Sequence, residues 1–114
     1  MKLKTATEHN GEVVILEPKG SLVGGEETDE LRNAVAESIE KGNKKLVVDL
    51  GKVTYMNSTA IGALVSAHTY YVNRKGKIVL CNVNKNITNI FVVTKLSMIF
   101  QVVETRPDAI LALT

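Results

Sequence analysis

Two apolar patterns alternate along the chain. Lys45-Leu46-Val47-Val48-Asp49-Leu50 and Ile78-Val79-Leu80-Cys81-Asn82-Val83 are β-branched runs with no alternation. Such runs belong to strands buried on both faces, as in a parallel sheet covered by helices. Before the first and between the two, apolar residues recur at helical spacing. From about Glu26 to Lys41, Leu31, Ala34, Val35, Ser38 and Ile39 share a face, Glu26, Glu27, Asp29 and Glu30 crowd the first turn, and Gly42 stands ready as a cap. From Ala60 to Asn73, Ile61, Leu64, Val65, His68 and Val72 share a face, and Ala60, Gly62, Ala63, Ser66 and Ala67 would let that helix lie close to a sheet. Asn57, Ser58 and Thr59 before it are all N-cap residue types.

The flanks complete the order. Leu3 to Glu8 and Glu12 to Glu17, with His9-Asn10-Gly11 between them, suggest a hairpin with His9 as a turn residue. Pro18 and Gly20 break the pattern, and Gly24-Gly25 marks a loop. Asn84 to Thr94 reads as a helix capped by Asn84 or Asn86 with Ile87, Ile90 and Phe91 inward, although Phe91-Val92-Val93-Thr94 leans toward strand. Ile99 to Val103 reads as a last short strand, and Pro107 opens a final helix. The expected order is β-β-α-β-α-β-α-β-α, which requires right-handed crossovers and parallel strand pairs.

With 114 residues and no internal repeat, residues 1–114 form a single domain. The area scalings give about two thirds of its surface buried on folding, enough for a core without staples. Cys81 is the single cysteine, which excludes an internal disulfide framework and a Cys-rich zinc site. Lying in an expected strand, it reads as an inert small hydrophobe. The only rings besides histidine are Tyr55, Tyr70, Tyr71, Phe91 and Phe100. The core must therefore be aliphatic, and a stacking platform for single-stranded nucleic acid is not expected.

Fourteen basic residues against twelve acidic ones leave a net charge of +2, with a pI near 8.7. The two small basic clusters, Lys41, Lys44, Lys45 and Arg74, Lys75, Lys77, fall where helices end and answer their dipoles. No nucleic-acid partner is expected. Met1 to Thr5 lacks the apolar stretch of a secretory signal, and no run approaches the ~20 residues of a membrane span. A cytoplasmic protein with no membrane partner is the expectation.

Enzymatic readings find little support. Gly20, Gly24 and Gly25 spell no phosphate-binding fingerprint. His68 fits a satisfied core or boundary position better than a ligand. A nucleophile–base pair of Ser58 and His68 would have nothing to orient its base. The glutamates near Glu26 are explained by the helix dipole. No cofactor and no metal site are expected. Ser58 has a different property: a phosphate there would add about −1.5 to −2 charges at a helix N-terminus, where free N–H groups and the dipole accept anions. Such a modification would switch binding rather than folding, and would take the net charge from +2 to about zero.

The ordered set of elements resembles the STAS domains, in particular the bacterial anti-sigma factor antagonists. Leu46-Val47-Val48-Asp49-Leu50 followed by Val53-Thr54-Tyr55-Met56-Asn57-Ser58-Thr59-Ala60-Ile61-Gly62 is similar to the family's signature, an apolar strand leading to Met-Asp-Ser-x-Gly-Leu-Gly at the start of its second main helix. Gly76 to Leu80, Leu96 to Val102, Ala109 and Leu111 fit as well. The resemblance implies an α/β fold, STAS-like, with a mixed, mostly parallel sheet of four to five strands and about four packed helices. It also implies a non-enzymatic switch. The unphosphorylated protein binds an anti-sigma factor that is also a serine kinase, phosphorylation ends the binding, and a PP2C-type phosphatase restores it, regulating transcription through a sigma factor. On this chain the phosphorylated serine maps onto Ser58, with Thr59 as second choice. The expected contact surface is Ser21, Leu22, Gly24, Asn57, Ser58, Thr59 and Ile61. Asn57 stands where the family has a carboxylate, and Ala60 where it has glycine. A monomer is the expected state. The alternative is a STAS subunit of a signalling or transport assembly that never cycles through phosphate.

Overall fold

A computed structural model describes residues 3–8 and 11–114. The turn expected at His9-Asn10-Gly11, and the reading of His9 as a turn residue, fall on His9 and Asn10 and so lie outside the described residues. The chain runs β1 (Lys4–Glu8), β2 (Val13–Glu17), β3 (Lys19–Leu22), α1 (Glu26–Glu40), β4 (Lys45–Asp49), β5 (Lys52–Met56), α2 (Ser58–Asn73), β6 (Lys77–Cys81), α3 (Lys85–Val93), a 3-10 turn (Leu96–Met98), β7 (Gln101–Val103) and α4 (Arg106–Leu113). Five strands form one sheet in the order β1-β2-β4-β6-β7. β1 is antiparallel to β2, and every other pair is parallel.

The unbroken apolar runs of β4 and β6 have the expected cause. Leu46, Val48, Ile78 and Leu80 face a large core built with Leu31, Val35, Leu64, Ile87 and Phe91 from α1, α2 and α3. Val47, Val79 and Cys81, one residue out of phase, face a smaller core closed by Ala109 and Leu113 of α4. Alternate side chains leave a strand on opposite faces, so a strand covered on both sides must be apolar throughout.

Two strands were not expected. β3 and β5 form a separate two-stranded parallel pair, with Leu22 opposite Met56 and a register shift between Gly20 and Ser21. The segment read as a Pro/Gly break carries β3, and β5 lies in the stretch between β4 and α2 to which no strand was assigned. Its role is positional: β3 leads into α1 and β5 into α2, so pairing them brings the two helix N-termini side by side.

The buried face of α2 is also rotated from the expected one. Ala60, Ala63, Leu64, Ala67 and Tyr71 are buried, Ile61, Val65 and His68 lie on the flank, and Val72 is half exposed. The alanines decide this, because their small side chains allow the helix backbone to approach the sheet. Tyr71 then extends under the helix and donates its hydroxyl to Asn43 Oδ1 at 2.9 Å, and burial pushes its pKa up to about 12. Gly62 and Ser66, expected on the packing side, are exposed. Gly42 (φ 81°) ends α1 as anticipated, and the Lys44 ammonium caps α2 by donating to the Arg74 carbonyl at 2.6 Å.

Candidate functional site

α2 begins with an asparagine that bonds in both directions. Asn57 Oδ1 accepts from the Ala60 N–H at 3.1 Å, the N-cap bond that satisfies one free donor of the first turn. Its amide nitrogen donates to the Val23 carbonyl at 3.0 Å, and its backbone N–H donates to the Leu22 carbonyl at 3.1 Å. The β3–α1 loop is thereby tied to the start of α2.

The loop is held from its other side as well. Gly24 N–H donates to the buried Thr28 hydroxyl of α1 at 2.9 Å. Gly24 has φ 90°, and a Cβ there would lie 2.9 Å from Thr59 Cγ2, so loop and helix touch where no other side chain fits. The methyl of Thr59 is pressed on Gly24. Ser58, its neighbour, is exposed at the first position of the helix, and its hydroxyl makes no hydrogen bond within the described residues. No acidic side chain stands in the first turn of α2.

The structure thus brings together most of the residues singled out from sequence. Leu22, Gly24, Asn57, Ser58 and Thr59 are joined by the contacts just given, and Ser21 lies opposite Tyr55 with its hydroxyl 3.3 Å from that of Thr54. Leu22 differs from expectation: it is fully buried, so it supports the loop and offers a partner no side chain. Ile61 is only half available, being packed partly on the large core. Val23 and Tyr55, each about half exposed (48% and 49%), adjoin this surface and were missed. Large apolar groups left in water beside a polar loop were the available signal.

Other sequence candidates resolve differently. His68 lies ten positions after Ser58 on the same helix, about 15 Å along its axis, so the two form no pair. It stacks edge-on against Phe100 at 5.4 Å, a boundary position, but its Nδ1 is buried without a partner rather than satisfied. Cys81 is fully buried, and burial, with the charge of Asp49, pushes its thiol pKa up to about 12. Among the described residues no cluster of three or more His, Cys, Asp or Glu could hold a metal ion, and no helix is long and apolar enough to cross a membrane.

A second polar centre holds α4. Arg106 donates through Nε to Asp49 Oδ2 at 3.0 Å and through Nη2 to Glu17 Oε2 at 2.9 Å. Asp49 Oδ1 also accepts from Gly51 N–H at 2.9 Å and from Asn82 at 3.1 Å. Burial alone would raise the Asp49 pKa, but these hydrogen bonds and the guanidinium charge outweigh it and hold the carboxyl below the ordinary value.

With sheet order, helix placement and the Asn57–Ser58 corner described, the class of protein is defined. Residues 4–109 match the family model of the STAS domain, and the chain belongs to that family. It is 24% identical over 88 residues to BtrV of Bordetella bronchiseptica, a candidate anti-sigma factor antagonist, covering 77% of this chain and 76% of that one. Its fold is similar to that of a candidate anti-sigma factor antagonist from Thermotoga maritima, with TM-score 0.88 and 21% identity over 97% of this chain and 93% of the other. The Bacillus cell fate determinant SpoIIAA in its phosphorylated form is also similar, with TM-score 0.77 and 16% identity over 98% of this chain and 99% of that one.

Proposed function

We propose that this STAS domain is an anti-sigma factor antagonist switched by phosphate on Ser58. Unphosphorylated, it binds an anti-sigma factor that is also a serine kinase, using the β3–α1 loop and the first turn of α2. The kinase phosphorylates Ser58 and the complex dissociates. A PP2C-type phosphatase restores the binding form, and the cycle takes place in the cytoplasm.

One observation carries the reading: the Ser58 hydroxyl is exposed and unengaged at the N-terminus of a sixteen-residue helix, beside a loop pinned in place. A phosphate there gains the helix dipole and free N–H groups, and it meets no first-turn carboxylate. The domain therefore tolerates the dianion, while a partner seated on the same corner meets new charge and its hydration. Thr59 is the poorer acceptor because its side chain is packed against Gly24.

Calorimetric titration of the cognate anti-sigma factor with wild type, Ser58→Ala and Ser58→Asp tests the switch. Ser58→Ala should bind within a few-fold of wild type and Ser58→Asp at least ~100-fold more weakly, which is about 2.7 kcal/mol. Equal binding of Ser58→Asp and wild type sinks the switch at this residue. A chain that takes up no phosphate from kinase and ATP, seen by mass spectrometry, is instead a constitutive subunit of a signalling or transport assembly.

A further inference from the structure

Away from Ser58, one sheet edge is left in an unusual condition. β7 pairs only with β6, so its outer N–H and C=O groups are unpaired. Beside it, Val92 (59% exposed), Val93 (81%), Met98 (83%), Ile99 (44%) and Val102 (41%) stand in water. These five, of ten exposed large hydrophobics among the described residues, fall within eleven positions. Val92 and Val93 are part of the strand-leaning run noted in the sequence. As β-branched residues on an exposed helix surface they cost helix propensity and stand largely in water.

The opposite edge is built otherwise. β1 is wholly exposed, but it carries Lys4, Thr5, Thr7 and Glu8, the charged and polar residues that keep an open edge from pairing. β7 has no charge and no proline.

We infer that the edge of β7, with the apolar strip of α3 and the 3-10 turn, is a two-fold self-association surface on which a second copy of this chain docks β7 antiparallel to β7. Two features select a second copy as occupant. From their exposures the five residues leave roughly 500 Å² in water, so a two-fold contact reaches the ~1,000 Å² that a specific interface requires when the whole strip is covered. Residues 96–103 carry no charge, so the stretch of the 3-10 turn and β7 meets its own copy without bringing like charges together. A membrane surface would instead call for a cationic rim. The inference does not rest on the Ser58 reading.

Sedimentation velocity from micromolar to ~1 mM protein should show a monomer–dimer equilibrium. Val102→Lys and Val93→Glu, both at exposed positions, should weaken it at least tenfold with an unchanged melting temperature. Residues directly opposite across antiparallel strands have Cβ atoms about 4.5–5.5 Å apart, so Val102→Cys should give disulfide-linked dimers on mild oxidation, and Ala6→Cys on the β1 edge should not. Cys81 is buried and does not compete. A wild type that stays monomeric throughout overturns the inference. So do variants that associate as wild type does, and so does Val102→Cys that cross-links only to Ala6→Cys, which would mean head-to-tail association.

Discussion

The side-chain amide of Asn57 joins two elements far apart in sequence, capping α2 through Ala60 while donating to the carbonyl of Val23 thirty-four residues earlier. An amide performs both tasks through separate atoms, its oxygen accepting for the cap and its nitrogen donating to the loop, which a carboxylate does not. A carboxylate keeps the cap, gains from the helix dipole, and sets two oxygens against each other at Val23. Asn57→Asp should therefore change overall stability by less than about 1 kcal/mol, while amide hydrogen exchange at Val23 to Gly25 rises. Asn57→Ala loses both bonds and should cost about 1–2 kcal/mol in urea unfolding. Unchanged loop exchange in Asn57→Asp would show that the Val23 bond does not hold the loop.

Gly24 sets the distance between that loop and α2. Gly24→Ala brings two costs, a non-glycine residue at φ 90° and a Cβ 2.9 Å from Thr59 Cγ2. The expected loss is about 1–3 kcal/mol. Thr59→Ala removes the 2.9 Å contact but leaves Cβ of residue 59 at 3.2 Å and the backbone strain, so the double-mutant cycle should recover part of the loss and not all of it. A coupling energy of zero would mean that loop and helix do not press on one another in solution.

Most of the frame could be read from sequence because its signals are local. The runs at Leu46–Val48 and Ile78–Leu80 announced strands buried on both faces, and the acidic first turn with Gly42 bounded α1. β3 and β5 stayed hidden because their pairing spans over thirty residues, and a register shift at Gly20 and Ser21 blurs their alternation. Lys19-Gly20-Ser21-Leu22 has poor strand propensity by itself. The missed pair also forms the floor of the candidate site, so Ser58 could be named from its signature while Val23 and Tyr55 could not. The exposure of those two follows from how the loop is tied to α2, a relationship only three-dimensional structure supplies. The rotation of α2 had a similar cause: apolar size pointed to Val72, while of the small residues expected at the sheet Ala60, Ala63 and Ala67 are buried there and Gly62 and Ser66 are not.

Cys81 should behave as part of the core. With its pKa pushed to about 12, the thiolate is nearly absent at pH 8, and the sulfur is fully buried. Reaction with a thiol reagent in native buffer should be negligible over hours and complete on unfolding in guanidinium. Reaction at the rate of a free thiol in native buffer would mean that β6 opens far more readily than its central place in the sheet implies.

Acid should loosen the attachment of α4 first. Asp49 has a lowered pKa in the folded protein, set by Gly51, Asn82 and Arg106 against the opposing effect of burial. A group whose folded pKa lies below its unfolded value stabilises the fold above the unfolded value, about 3.9 for aspartate, and that contribution is lost as pH falls through the folded pKa. Stability should therefore drop below about pH 4, beyond what exposed carboxylates cause, and Asp49→Asn should flatten that drop. Arg106→Ala removes the guanidinium charge and the bonds to Asp49 and Glu17, so the folded Asp49 pKa moves up toward its unfolded value and the Asp49 share of the acid drop shrinks, as in Asp49→Asn, in a protein already less stable at neutral pH. At neutral pH it should cost on the order of 2 kcal/mol, moderated because the Arg106 side chain is one-third exposed. Urea unfolding of the three proteins between pH 3 and 7 separates these outcomes. Parallel curves for wild type and Asp49→Asn would show that the Asp49–Arg106 pair does not govern the acid limb.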